Sequence, residues 1–150
     1  MLSDEQYMEI ALQQAELAAE QGEVPVGAVL VLAGGQQFSA HNAPILNHDA
    51  TAHAEIQVIR AACAAIGNYR LVGVQLFVTL EPCTMCAGAI IHARIARVVY
   101  GASEPKTGAV ESLYQLLSDK RLNHQTELKG GVLADECSAQ IKSFFKQRRK

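Results

Sequence analysis

The sequence predicts an α/β fold in which one mixed sheet of about five strands is flanked by helices. Short apolar runs typical of strands alternate with longer helical patterns along the chain, an order typical of a sheet covered on both faces. The chain has 150 residues, of which 49% are hydrophobic and 19% charged, a composition that suits one core of ordinary size. We therefore expect residues 1–150 to form a single domain.

The first predicted elements are a helix and a hairpin. Ser3 followed by Gln6 has the pattern of a capping box, which predicts a helix start, and Gly22 is a typical helix end. Residues 26–32 form a β-branched and aliphatic run, and residues 37–40 return after a Gly-Gly turn signal. These two runs predict a pair of antiparallel strands.

The middle of the chain continues the alternation. Residues 42–50 are polar and include a proline, which predicts a loop, and residues 52–66 are alanine-rich and predict a helix that stops at a Gly-Asn pair. A strand is predicted over residues 75–79, a helix over 84–93 and a further strand over 97–100. The last third predicts a short helix over about 110–117, a strand within 127–133 and a helix from 135 to the end.

Charge and hydropathy limit the possible function classes. The net charge of −2 argues against a general nucleic-acid coat. No apolar run approaches the roughly 20 residues that cross a bilayer, and the amino end lacks the basic start of a secretory signal. We expect a cytoplasmic protein.

The four cysteines divide into a motif and two single residues. Four are few for a disulfide scaffold, and the spacing Cys83-x-x-Cys86 indicates metal or redox chemistry in a reducing compartment. Cys63 and Cys137 lie in apolar, helical contexts, so we expect them to be buried core thiols.

His53, Cys83 and Cys86 together predict a zinc site. Zinc with only three protein ligands keeps its fourth position open for water or a substrate atom, as in catalytic rather than structural sites. The two cysteines come at the amino end of a predicted helix, where the exposed amides and the helix dipole favour thiolates. Glu55 follows His53 by two residues and is expected to reach towards the open position.

This set of residues predicts hydrolytic deamination. Zinc lowers the pKa of its bound water from about 15.7 to about 7, and Glu55 would take the proton and deliver it to a ring nitrogen and the departing amine. Taken alone, His-x-Glu is usually a surface accident and Cys-x-x-Cys is often structural or redox. Their conjunction, with Pro82 before the first cysteine, predicts a zinc-bound hydroxide attacking an amidine-like carbon and releasing ammonia.

The carboxyl end is basic and contains aromatic residues. Basic side chains neutralise phosphates while an exposed ring stacks on an unpaired base, which predicts contact with single-stranded RNA. A terminal helix that buries its rings and places cations near its carboxyl end explains the same pattern. The residues concerned are Lys142, Phe144, Phe145, Lys146, Arg148, Arg149 and Lys150.

The motifs carry a resemblance that spans nearly the whole chain. His-Ala-Glu and Pro-Cys-x-x-Cys are similar to the signature of the cytidine/deoxycytidylate deaminase superfamily. Further segments resemble the bacterial tRNA-specific adenosine deaminase family. They are residues 23–28, Asn42, 52–55, 68–71, 79–90, 106–109 and 144–145.

The resemblance implies a three-layer α-β-α fold and conversion of the wobble adenosine of a tRNA anticodon to inosine, by a homodimer with one Zn²⁺ per chain. It implies the three zinc ligands and the proton-shuttling glutamate already named. It also implies that Asn42 contacts the base, that Val26 forms a pocket wall and that the Ala54 amide faces the base. Glu104 would lie beside the ribose and Phe145 would touch the anticodon loop.

The sequence departs from the family pattern at a few positions. Ala43 replaces a basic residue, Ala50 a proline, and Glu111 a small residue. Glu104 stands where the family typically has aspartate, so it is either a longer acceptor for a ribose hydroxyl or a solvated loop residue.

Two other functions share part of the pattern. A deaminase of a free base or nucleoside, of the guanine or cytosine type, would have the same zinc motif. An RNA-binding module with a structural zinc is the non-catalytic alternative, but it leaves Glu55 without a purpose.

Overall fold

The computed structural model describes residues 1–148 and contains four α-helices, one short 3₁₀ helix and five strands in this part of the chain. Among these residues, no helix is both long and apolar enough to cross a bilayer. The elements are α1 (Asp4–Glu20), β1 (Gly27–Val31), β2 (Gln37–His41), α2 (Ala54–Ile66), β3 (Gln75–Leu80), α3 (Thr84–Ala93), β4 (Arg97–Ala102), the 3₁₀ helix (Leu116–Ser118), β5 (Glu127–Lys129) and α4 (Ala134–Arg148).

The five strands form one mixed sheet in the order β2-β1-β3-β4-β5. β1 pairs antiparallel with both β2 and β3, whereas β3, β4 and β5 run parallel. The ends of β2, β3 and β4 and the start of β1 therefore meet at one edge of the sheet, which we call the site edge. This architecture confirms the predicted α/β fold with a mixed sheet.

Each face of the sheet is covered by two helices. On one face, Val58 of α2 and Ile90 of α3 pack with alternate strand residues such as Leu76 and Val78. On the opposite face, α1 and α4 pack over the intervening strand residues; Tyr7 stacks near Phe77, with ring centroids 4.7 Å apart, and Cys137 is fully buried. The alternation follows from the two-residue period of a strand, whose successive side chains point to opposite faces.

The capping box predicted for α1 is present. Ser3 Oγ accepts the N–H of Gln6, and the Gln6 side chain accepts the N–H of Ser3. The start of α1 is also tied to the sheet, because Arg97 donates two hydrogen bonds of 2.9 Å to the Asp4 carboxylate. The Arg97 side chain holds the pKa of Asp4 at about 2.

The helix predicted over residues 110–117 is wrong. Only the 3₁₀ turn Leu116–Ser118 forms there, and the preceding residues are turns. The amides of Val110, Glu111 and Ser112 donate to the Glu81 carboxylate instead of to a helical ladder. The strand predicted within 127–133 is present but is limited to Glu127–Lys129.

Candidate active site

The three predicted metal ligands meet at the site edge of the sheet. His53 precedes the first residue of α2, Cys83 precedes the first residue of α3, and Cys86 lies in the first turn of α3. The Nδ1 atom of His53 lies 3.6 Å from the Cys83 Sγ and 3.5 Å from the Cys86 Sγ. All three candidate ligand atoms lie within 4.8 Å of one another. These residues come together because α2 and α3 pack on the same face of the sheet with their first turns at the same edge.

The spacing of these atoms fits a tetrahedral zinc ion. With Zn–N of about 2.0–2.1 Å and Zn–S of about 2.3 Å, tetrahedral angles place a nitrogen and a sulfur ligand about 3.5 Å apart. The measured His53–Cys83 and His53–Cys86 separations of 3.6 and 3.5 Å match this geometry. Within residues 1–148, no fourth His, Cys, Asp or Glu completes the cluster, so the ligand set is of the open kind.

The cluster also favours a thiolate. The Cys86 side chain and His53 both hydrogen-bond to Cys83, and together they lower the pKa of Cys83 to about 4 against the opposing effect of burial. The same contact with Cys83, together with burial, raises the pKa of the Cys86 thiol. The hydrogen bond to Cys83 raises the pKa of His53. One of the two sulfurs therefore carries negative charge, as a metal ligand must.

Glu55 is buried beside these ligands. It is 4% exposed and lies in the first turn of α2. Burial raises the pKa of the Glu55 carboxyl to about 7, although its own backbone amide and His53 act in the opposite direction. A carboxyl with a pKa near neutrality can both accept and release a proton at the pH of the cell, which is what general acid–base catalysis needs.

A cavity of about 210 Å³ lies beside the candidate ligands and Glu55. His53, Glu55 and Cys83 form part of its lining, so the ligand cluster and the carboxyl face one space. Val26, expected to form a pocket wall, and Asn42, expected to contact the base, line the same cavity. The remaining lining residues are Val24, Leu80, Glu81 and Thr107.

Apolar walls such as those of Val24, Val26 and Leu80, combined with polar groups, are typical of a small-molecule pocket. Ala54 is fully buried and is the first residue of α2, where an N–H has no partner within the helix. That the Ala54 amide faces the base stays a prediction.

Comparison with known proteins agrees with this geometry. The profile of the MafB19-like deaminase family matches residues 2–149. A tRNA-specific adenosine deaminase of Bacillus subtilis is 48% identical over 150 residues, covering 100% of this chain and 93% of that protein. A tRNA-specific adenosine deaminase of Haemophilus influenzae is 50% identical over 147 residues, covering 97% of this chain and 85% of that protein. This chain belongs to the tRNA-specific adenosine deaminase family.

A solved structure agrees as well. It comes from a study of A-to-I editing by tRNA:A34 deaminases at the wobble position of transfer RNA. It superposes on this deaminase with a TM-score of 0.86 at 48% identity, covering 90% of this chain and 98% of that one. The expected three-layer deaminase fold is thereby confirmed.

Glu104 lies in the loop of residues 103–112 that follows β4, which we call the β4 loop. Thr107 of this loop lines the cavity, whereas Glu104 is half-buried beside it. The Glu104 carboxylate accepts the N–H of Lys106 at 2.9 Å and thus braces its own loop. The structure places Glu104 near the cavity but not among the residues that line it.

Phe145 lies on α4, on the opposite face of the sheet from the cavity, and is 41% exposed. Phe144 is half-buried with Arg148 over its ring, 4.5 Å from the centroid. Arg148 also donates to the Gly22 carbonyl at 2.9 Å, two residues before Val24 of the cavity. The end of α4 therefore reaches the site edge. Arg149 and Lys150 of the basic tail lie outside the described residues.

Cys137 is a buried core thiol, as predicted, whereas Cys63 is only partly buried.

Two buried carboxylates of this deaminase were missed from the sequence. Glu23, 1% exposed, accepts the amides of Ile45 and Leu46 at 3.2 and 2.8 Å. Glu81, 2% exposed, accepts several amides of the β4 loop. The sequence signal that could have indicated them is a glutamate next to apolar residues, which suggests a buried carboxylate. Such a carboxylate needs hydrogen-bond partners because an unpaired buried charge is costly.

Proposed function

We propose that this chain hydrolyses adenosine to inosine at the wobble position of a tRNA anticodon and releases ammonia. The observation that carries the proposal is the open His53, Cys83 and Cys86 cluster, which shares one cavity with the buried carboxyl of Glu55. The substrate follows from membership of a family whose relatives match along nearly their full length.

His53, Cys83 and Cys86 would hold one Zn²⁺ per chain. Their atom separations and their thiolate character support this assignment. When bound, zinc supplies Lewis-acid chemistry that lowers the pKa of the attacking water to about 7.

Glu55 carries the protons of the reaction. Its carboxylate accepts a proton from the attacking water, whose oxygen bonds to C6 of adenine. The carboxyl then donates that proton to N1 of the ring. Glu55 next takes the proton of the new C6 hydroxyl and delivers it to the amino group, which leaves as ammonia while the C6–N bond breaks and the C6 carbonyl of inosine forms. Because Glu55 is buried, this proton exchanges with the substrate more readily than with bulk solvent.

The cavity walls would hold the base. Asn42 offers an amide to the heterocycle, Val26 an apolar wall and Ala54 a free N–H. A base must leave its stack to enter such a cavity, and an anticodon loop presents one at low cost. Glu104 would lie beside the ribose and Phe145 would stack on the loop, which the exposure of Phe145 supports.

The assembly and location complete the proposal. We assign residues 1–150 to one domain, which the joining of α1 and α4 on one sheet face supports. A homodimer is supported by the half-buried apolar residues Ala89 and Ile91 of α3. The predicted location remains the cytoplasm, where tRNA is available.

The decisive experiment measures ammonia and inosine from an anticodon stem-loop with adenosine at the wobble position. The same enzyme is incubated separately with free adenosine, guanine and cytosine. We expect product from the stem-loop alone. Product from a free base or nucleoside, with none from the stem-loop, would replace the tRNA assignment by the free-base alternative.

A further inference from the structure

The buried carboxylate of Glu81 joins the two ends of the β4 loop. Its Oε1 accepts the N–H of Glu104 at 3.0 Å and the hydroxyl of Ser112. Its Oε2 accepts the N–H groups of Val110, Glu111 and Ser112 at 3.2, 2.8 and 2.9 Å. Five hydrogen bonds to one carboxylate saturate its roughly four lone-pair sites, so neither oxygen is free for a substrate.

The arrangement requires a carboxylate at this position. Among residues 1–148, no lysine, arginine or histidine forms an ion pair with Glu81, so its charge is balanced by backbone and hydroxyl dipoles. Hydrogen bonds to a charged acceptor are about twice as strong as neutral ones. An amide at this position would direct an NH₂ group at N–H donors in either orientation.

The loop held by Glu81 contacts the segment of the candidate ligand Cys83 and also contributes to the cavity wall. The Ala109 amide donates to the Pro82 carbonyl at 2.9 Å, and Gly108 pairs with Cys83 in an isolated bridge. A Cβ at Gly108 would lie 2.4 Å from the Glu81 carboxyl carbon, so the loop backbone sits directly on the carboxylate. Thr107, next to this contact, lines the cavity.

We propose that Glu81 is a positioning residue that fixes the β4 loop as a wall of the substrate site. It sets the affinity for the RNA substrate through that loop and leaves the metal and the proton carrier in place. This role rests on the proposed function, because it assumes that the substrate enters the cavity beside Thr107. It gives an otherwise costly buried charge a purpose.

The test compares Glu81→Gln with the wild-type enzyme. Amide hydrogen exchange is measured over the whole chain, together with zinc content and with KM and kcat on the anticodon stem-loop. We expect exchange in residues 103–112 to accelerate about tenfold or more, since several amides of this loop lose a charged acceptor. We expect KM to rise by about tenfold or more, while kcat falls by less than about threefold. Zinc content and exchange in α2 and α3 should stay unchanged.

The matched control is Glu127→Gln, which removes a carboxylate whose side chain is 74% exposed on β5. It should leave all four readouts at the wild-type values. Glu81→Asp keeps the charge, so it should restore KM part of the way towards wild type.

Three results would overturn the proposal. They are unchanged loop exchange in Glu81→Gln, loss of zinc or kcat without a rise in KM, and an equal effect of the Glu127→Gln control. If Glu81→Gln does not fold, Ser112→Ala removes one donor and should cause a smaller rise in both exchange and KM. No change in a folded Ser112→Ala then overturns the proposal. The exchange readout does not depend on substrate, whereas an inactive wild-type enzyme would refute the proposed function.

Discussion

Replacing Glu55 by glutamine tests whether this carboxyl carries the protons of the reaction. Glutamine keeps the shape of a side chain that is only 4% exposed, so the cavity and the ligand cluster stay intact. It cannot accept a proton from water or return one to the base. Glu55→Gln should therefore retain zinc and fold while losing turnover.

The magnitude follows from the chemistry assigned to one residue. General acid–base catalysis contributes about 10²- to 10⁴-fold. Because Glu55 would handle both the proton of the attacking water and the protonation of the leaving amine, we expect kcat to fall by about 10³-fold or more. KM should change little, because the amide still fills the same space.

The same Glu55→Gln substitution should raise the stability of the metal-free protein while it lowers turnover. Burial raises the pKa of Glu55 from 4.5 to about 7, so ionisation of this group opposes folding once the pH exceeds 4.5. The penalty grows until about pH 7 and is constant above it, amounting to no more than about 3 kcal/mol. At pH 8 the metal-free Glu55→Gln variant should melt higher than the metal-free wild type, and at pH 4 the two should agree.

Single-turnover assays on the stem-loop, with zinc measured in the same samples, separate the possible outcomes. Near-normal inosine formation by a zinc-loaded Glu55→Gln protein would remove Glu55 from the mechanism. If metal-free Glu55→Gln melted lower than the metal-free wild type at pH 8, the buried carboxyl would stabilise the fold, contrary to the expected penalty for burying its charge.

Three further predictions concern the metal, the RNA contact and the fold. Cys86→Ala should bind little zinc by elemental analysis, because two ligands remain; wild-type zinc content would refute the ligand set. Phe145→Ala should weaken stem-loop binding by about 1–3 kcal/mol through lost stacking and keep its zinc, whereas Val72→Ala, which trims another exposed apolar side chain, should bind normally. Equal affinities for both variants would exclude the α4 contact. Asp4→Asn should lower the free energy of unfolding by about 1 kcal/mol at pH 7, measured by urea unfolding, because Arg97 lowers the pKa of Asp4 from 3.8 to about 2. The expected loss is smaller than this pKa shift alone would give, because about a fifth of each side chain is exposed to solvent. That difference should shrink as the pH falls from 4 towards 2, and a constant difference would contradict the assigned ion pair.

The elements that the sequence predicted well are those set by local chemistry. The capping box of Ser3 and Gln6 marks the start of α1, and the helix predicted over 84–93 has the observed bounds Thr84–Ala93. The clustering of His53, Cys83 and Cys86 was also predictable from residue type and spacing, since thiolates and imidazole are typical zinc donors. Each of these signals, including His-x-Glu and Cys-x-x-Cys taken separately, is carried by a few neighbouring residues.

The features that the sequence did not show depend on distant contacts. The pattern over residues 110–117 predicted a helix because nothing local reveals that Glu81, some thirty positions earlier, binds its amides. The contact of Arg148 with Gly22, which brings α4 to the site edge, joins residues far apart in the chain. Such contacts depend on how the helices and loops pack around the sheet, and the periodic pattern of apolar residues does not predict them.

Two helices that begin at the active site lack the side-chain cap that is usual at a helix start. A helix start is normally capped by the side chain of Ser, Thr, Asp or Asn, and loss of such a cap costs about 1 kcal/mol. Ser3 caps α1 in this way, but His53 and Cys83 occupy the N-cap positions of α2 and α3 and form no side-chain cap bond. Their side chains point instead towards each other, at the proposed metal site. Two uncapped helix ends that face each other are therefore local weaknesses that metal binding would compensate, which predicts that removing zinc loosens the first turns of α2 and α3 before the rest of the sheet.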